Sequence, residues 1–174
     1  MDEQSLITAI AGSHYVIHLA SPFFFGSDES KLVTPAVNGT TYVMNACKAA
    51  GVRRCVITSS VVAVSVVAEA DKPADRIYNE SHWSNPDRPE GIAAYFKSKV
   101  LAEKVAWDFV AALPEDQKFE IVTICPGFVM GPPLRKEEFT SGTWMVNLME
   151  NKSEKVSADH CCGVDVRDVA FAHL

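Results

Sequence analysis

The chain has 174 residues, 48% hydrophobic and 22% charged, with a formal net charge of −6. This much apolar material supports a packed core and excludes a disordered chain. The acidic balance, with no clustered Lys and Arg to displace counterions from phosphates, excludes a nucleic-acid partner.

His14 to Ala20 is a short apolar, β-branched run bounded by Gly12-Ser13 and Ser21-Pro22, the pattern of a strand buried on both faces. From about Leu32 to Ala50, Val33, Val37, Val43, Met44 and Cys47 recur at mostly helical spacings, and Gly51 ends the stretch. Arg54 to Ser60 reads as a second buried strand, and Ala94 to Leu113 as a long helix closed by Pro114. Phe119 to Pro126 makes a third strand, with a weaker helix over Gly142 to Met149. Strands alternating with helices predict parallel pairing, crossover connections and helices on both faces, an α/β doubly wound sheet or part of one. The polar loop from Glu69 to Gly91 is longer than a connection requires; it is either a solvated surface loop or the wall of a binding site.

Met1-Asp2-Glu3-Gln4 has neither a basic nor an apolar leader pattern, and no apolar run reaches the roughly 18 residues of a membrane span. The expectation is a cytoplasmic protein without a membrane partner. Cys47, Cys55, Cys125, Cys161 and Cys162 never form C-x-x-C spacing, so they read as reduced, mostly buried thiols and not as metal ligands. The N-x-S/T triplets at Asn38, Asn79 and Asn151 are chance matches in such a chain.

Tyr95-Phe-Lys-Ser-Lys99 falls on the long helix, where i, i+4 spacing puts the phenol and the ammonium on one face. A nearby cation favours the phenolate and brings tyrosine, with its ordinary pKa of about 10, toward acid/base use at neutral pH. Alone, such a pair is common on surface helices. Thr58-Ser59-Ser60 ends a predicted strand, where α/β sheets place ligands; its alternative is a turn cap. Pro126-Gly127-Phe-Val-Met-Gly-Pro132 follows another strand, and His18-Leu-Ala-Ser-Pro22 follows the first.

In combination, H-L-A-S-P, V-N-G-T, I-T-S-S, Y-F-K-S-K, I-C-P-G-F-V-M-G-P and V-D-V-R-D-V-A resemble the extended short-chain dehydrogenase/reductases of the epimerase/dehydratase superfamily. The dihydroflavonol-reductase-like and cinnamoyl-CoA-reductase-like members are the most similar. The resemblance implies an NADPH-dependent carbonyl reductase, with NAD possible, acting on a small-molecule aldehyde or ketone. By the same resemblance Ser60 and Tyr95 bind the carbonyl, Tyr95 donates the proton, and Lys99 lowers the Tyr95 pKa and contacts the ribose. Leu19, Ala20, Ser21 and Ser59 would line the cofactor; Pro126, Phe128 and Val129 would border the nicotinamide, and Ser141 could also touch it.

Family members open with a strand and a glycine-rich turn that cradles the pyrophosphate, and these residues contain neither. The first strand corresponds to the family's fourth, and Leu174 falls before most of the family's substrate lobe. The expectation is therefore a single domain over residues 1–174: the central part of a Rossmann-like domain lacking its first strands, with the start of the substrate lobe. A fragment, a truncated isoform and an inactive remnant all fit. Two other functions remain open, a nucleotide-sugar epimerase or dehydratase and a non-catalytic interaction module.

Overall fold

The computed structural model describes residues 2–23, 28–75, 77–87, 93–134, 140–152 and 162–174. They divide into two compact units, Met1–Cys125 and Pro126–Leu174.

The first unit is built on three parallel strands, β1 (Tyr15–His18), β2 (Arg54–Thr58) and β3 (Glu120–Ile124), in the order β1-β2-β3. Tyr15 is in register with Arg54, and Arg54 with Glu120. Helix α1 (Glu3–Ile10) precedes β1, α2 (Glu29–Ala50) links β1 to β2, and the short α3 (Val62–Ser65) and long α4 (Ala94–Ala111) lie between β2 and β3. Asp2 caps α1 by accepting from the Gln4 amide at 3.1 Å, and Asp28 caps α2 by accepting from the Ser30 amide at 3.0 Å. At the other end of α2, Gly51 turns left-handed at φ 64°, so that its amide reaches the Lys48 carbonyl and the Val52 amide the Cys47 carbonyl.

Alternation along the strands divides the sheet. Cys55, Ile57 and Ile121 point into a core with Ile10 of α1, Val43, Met44 and Cys47 of α2, and Ala106 of α4. Tyr15, Ile17 and Val122, one residue out of phase, are exposed. Among the described residues the helices cover one face of this sheet, as in one half of a doubly wound sheet. The cause is topological: both crossovers run in the same direction across the sheet, and right-handed connections of one direction leave their helices on one side. Burying roughly 0.8 kcal/mol per methylene, this core is the main stabilising term of the unit.

The second unit pairs β4 (Phe128–Met130) with β5 (Gly163–Asp165) in parallel, with α5 (Thr140–Met149) and α6 (Val166–Ala172). Gly127 is required by close packing against backbone, whereas a side chain at Gly163 would have to displace only the end of the flexible Met130 side chain. A Cβ on Gly127 would meet the Cys162 carbonyl oxygen at 2.0 Å, and one on Gly163 the Met130 methyl at 2.6 Å.

Candidate active site

Parallel pairing brings the carboxyl ends of β1, β2 and β3 to one edge, where His18, Thr58 and Ile124 lead into the following loops. Ser59 and Ser60 come immediately after β2, both buried. The Ser59 amide donates to the Ile124 carbonyl at 2.8 Å, which extends the ladder by one step and fixes where Ser60 emerges. The Val62 amide donates to Ser60 Oγ at 3.4 Å.

Helix α4 delivers the other two members. Tyr95 lies in its first turn, and the Tyr95 carbonyl accepts from Ser98 Oγ at 2.6 Å. The Ser60 hydroxyl lies near enough to the Tyr95 phenol to pull its pKa down. One turn on, Lys99 is 7% exposed; its Nζ donates to the Thr58 carbonyl at 3.4 Å and lies 5.9 Å from the Tyr95 ring centroid. Burial raises the Tyr95 pKa above the ordinary 10.0, and the nearby Ser60 hydroxyl offsets part of that. Burial holds the Lys99 pKa below 10.5, against the upward pull of Cys125 and Glu103.

The loop after β1 reaches the same place: the Phe23 ring packs on Tyr95 with centroids 4.7 Å apart. Along it Leu19 and Ala20 are exposed, while Ser21 Oγ is buried and has no hydrogen-bond partner among the described residues. A buried hydroxyl left unmatched is costly, and it suits a polar ligand such as a ribose or phosphate oxygen lying there. The residues present therefore fit a nicotinamide nucleotide at this edge. Pro126, Phe128 and Val129 belong to the second unit, where the Phe128 ring meets Trp144 edge-on at 5.1 Å. Ser141 lies in the first turn of α5, half-buried. Of the long loop, Arg76 and residues 88–92 lie outside the described residues; Ser84 anchors the described part, accepting from the Val66 amide at 2.7 Å and donating to the Val62 carbonyl at 2.6 Å.

Two residues at this edge have no role assigned by the motifs, although His18 opens H-L-A-S-P. His18 Nε2 lies 3.4 Å from Thr40 Oγ1 of α2, and burial and then the Lys99 charge lower its pKa below 6.5. Glu103, only 5% exposed, accepts hydrogen bonds from Ser59 Oγ and from Trp107 Nε1, the latter at 3.3 Å. The available signal is the spacing Tyr95, Lys99, Glu103, Trp107, which prolongs the i, i+4 stripe two turns past the Tyr-Lys pair.

A parallel α/β sheet with Ser, Tyr and Lys gathered at its carboxyl edge defines the class as a Rossmann-type fold. The chain belongs to the 3-beta hydroxysteroid dehydrogenase/isomerase family, whose model matches residues 1–173. It is 37% identical over 176 residues to the NADPH-dependent methylglyoxal reductase GRE2 of Saccharomyces cerevisiae, covering 91% of this chain and 51% of that protein. With cinnamoyl-CoA reductase CAD2 of Medicago truncatula it shares 33% identity over 178 residues, covering 100% of this chain and 53% of the relative. Among solved structures, yeast Gre2 complexed with NADPH superposes with a TM-score of 0.80 at 31% identity, over 98% of this chain and 54% of that one. Vestitone reductase from alfalfa gives 0.76 at 30% identity, over 99% of this chain and 53% of that one. The chain thus spans about half the length of the relatives it matches, and the reductases among them bear out the resemblance read from the motifs.

Proposed function

We propose that these residues form the proton-handling half of an NADPH-dependent carbonyl reductase acting on a small aldehyde or ketone. The observation that carries this reading is the convergence of Ser60 from the end of β2 with Tyr95 and Lys99 of α4, the Lys99 Nζ lying 3.4 Å from the Thr58 carbonyl and 5.9 Å from the Tyr95 ring centroid. NADPH as cofactor is supported by the names of relatives and by their solved complexes. The bound nicotinamide supplies hydride to the carbonyl carbon.

The protein's own residues do the rest. Ser60 Oγ and the Tyr95 hydroxyl together hold the carbonyl oxygen. A phenol whose pKa is raised by burial stays protonated at neutral pH, the form that donates to the alkoxide as it develops. Lys99 Nζ, with one weak bond to the Thr58 carbonyl, keeps protons free for a ribose hydroxyl and stabilises the phenolate left after transfer. Ser21 Oγ supplies a further ligand bond, with Leu19, Ala20 and Ser59 lining the cofactor. Pro126, Phe128 and Val129 border the nicotinamide, and the second unit begins the substrate lobe. A cytoplasmic setting is part of the proposal, supported by the free thiols of Cys47 and Cys55, buried side by side.

The test joins this segment to a glycine-rich dinucleotide-binding half and follows NADPH oxidation with small aldehydes. Tyr95→Phe should lower kcat by about a hundredfold or more while cofactor affinity stays within a few fold. Unchanged turnover in that variant would sink the assignment.

A further inference from the structure

We infer that Glu103 is a positioning residue for this site: its buried carboxylate ties the carboxyl end of β2, through Ser59, to helix α4, and so sets Ser60 against Tyr95 and Lys99. The inference rests on the reading of Ser60, Tyr95 and Lys99 as the chemical set.

Glu103 Oε2 accepts from Ser59 Oγ and lies 3.7 Å from Cys125 Sγ, at the end of β3. Its other oxygen, Oε1, accepts from Trp107 Nε1 at 3.3 Å, one turn further along α4. The carboxylate thus spans both strand ends and its own helix, with its lone pairs directed at the neighbours of the catalytic residues. Ser60 follows Ser59 directly, so a fixed Ser59 side chain leaves the Ser60 hydroxyl little freedom beneath the phenol. Lys99 is one turn before Glu103 on the same buried face, alongside Ser98. A charge on that face is tolerated only with an opposite charge and hydrogen bonds to hold it. The ionisable groups facing this junction are Tyr95, Lys99 and Glu103 from α4, His18 from β1 and Cys125 from the end of β3.

A merely structural carboxylate would affect stability and leave the titration of the folded site alone. The experiment therefore reads two titrations in this chain, without cofactor or substrate: Tyr95 by NMR of ring-labelled tyrosine, assigned with Tyr95→Phe, and Cys125 by alkylation rate with peptide mass spectrometry. Ser59→Ala cuts the tie and keeps the charge; Glu103→Gln removes the charge and keeps an acceptor for Ser59; Glu103→Ala removes both. With the tie cut, Ser60 drifts from the phenol, so Tyr95 should titrate about half a pH unit or more higher in Ser59→Ala and Glu103→Ala, and move less in Glu103→Gln. Cys125, pushed up to about 11 by burial and by Glu103, should titrate lower in both Glu103 variants and no lower in Ser59→Ala, because the Ser59 hydrogen bond lowers it. An unmoved Tyr95 in Ser59→Ala overturns the positioning role, and so does an unmoved Cys125 in Glu103→Gln. Should Glu103→Ala fail to fold, the other two variants still decide it. Because neither titration needs turnover, failure here leaves the reductase reading standing, and a failed reductase assay leaves the tie standing.

Discussion

His18 illustrates how a single side chain couples the site to pH. Burial, then the Lys99 charge, disfavours its imidazolium in the folded chain, so it titrates below 6.5 there. Above that value both folded and unfolded chains hold it neutral, and it costs nothing. As pH falls below 6.5 the unfolded chain takes up the proton first, and the fold loses stability until the pH has passed through the lower, folded value. His18→Asn should therefore narrow the difference in urea midpoint between about pH 7.5 and about pH 5, the window set by that downward shift. An unchanged difference would mean that other groups carry the acid response. At this scale strand-end position and i, i+4 spacing, both local, made Ser60, Tyr95 and Lys99 candidates, and the resemblance of the combined motifs gave them their expected roles. Glu103 stayed hidden because a glutamate on a helix is usually solvated, and its partner Ser59 is 44 residues away.

Among the elements, the long ones were readable and the short ones were not. The 22 residues of α2 and the 18 of α4 carry enough repeats to declare a period, although Asp28 starts α2 three residues before the apolar pattern does. The predicted strands overrun β1, β2 and β3 at their ends because apolar runs continue past the last ladder bond. β4 and β5 are three residues each, too short to show a period, β4 reading only as part of a turn, and α1 is eight residues whose apolar side is Leu6, Ile7 and Ile10. The end of α2 offers a clean measurement. A Cβ added at Gly51 meets no atom within 4 Å, so Gly51→Ala changes only the backbone preference at φ 64°. It should destabilise the chain by about 1 kcal/mol, and Gly51→Asn by less, since asparagine tolerates the left-handed region better. Urea unfolding of the two variants checks both the size and the order.

For the molecule as a whole, the site's chemistry and the anchoring of its cofactor are separable. The residues proposed for the nicotinamide end lie in the described units, but a dinucleotide's pyrophosphate calls for aligned backbone amides of the kind a glycine-rich turn presents at a helix N-terminus. No such turn occurs in these 174 residues. The contacts of Ser21, Tyr95 and Lys99 must then offset the entropy of fixing the ligand by themselves, which places NADPH affinity of this chain at about millimolar or weaker. Calorimetry on the chain alone and on one joined to a dinucleotide-binding half checks this; micromolar binding by the chain alone would show that another element does the anchoring. The parallel pairing was legible from alternation of strand and helix. The strand order was not, because it depends on the direction in which the crossovers run.

The strand register has a consequence for how the chain reaches its fold. Arg54 and Glu120 meet as neighbours on β2 and β3 with Nε to Oε2 at 2.7 Å, yet 66 residues separate them. Contacts of such range are formed only after a long loop has closed, which makes parallel sheets slow to assemble. During synthesis β2 emerges well before its β3 partner and can pair only with β1, across the 22-residue α2. Helix α4, which separates β2 from β3, must also form before the Ser59 and Ser60 segment meets Glu103 and Tyr95. The edge that carries Ser60 and Tyr95 is therefore among the last parts of the first unit to be completed, and a slow phase in refolding should be seen by a probe on Cys125 after helix formation is over.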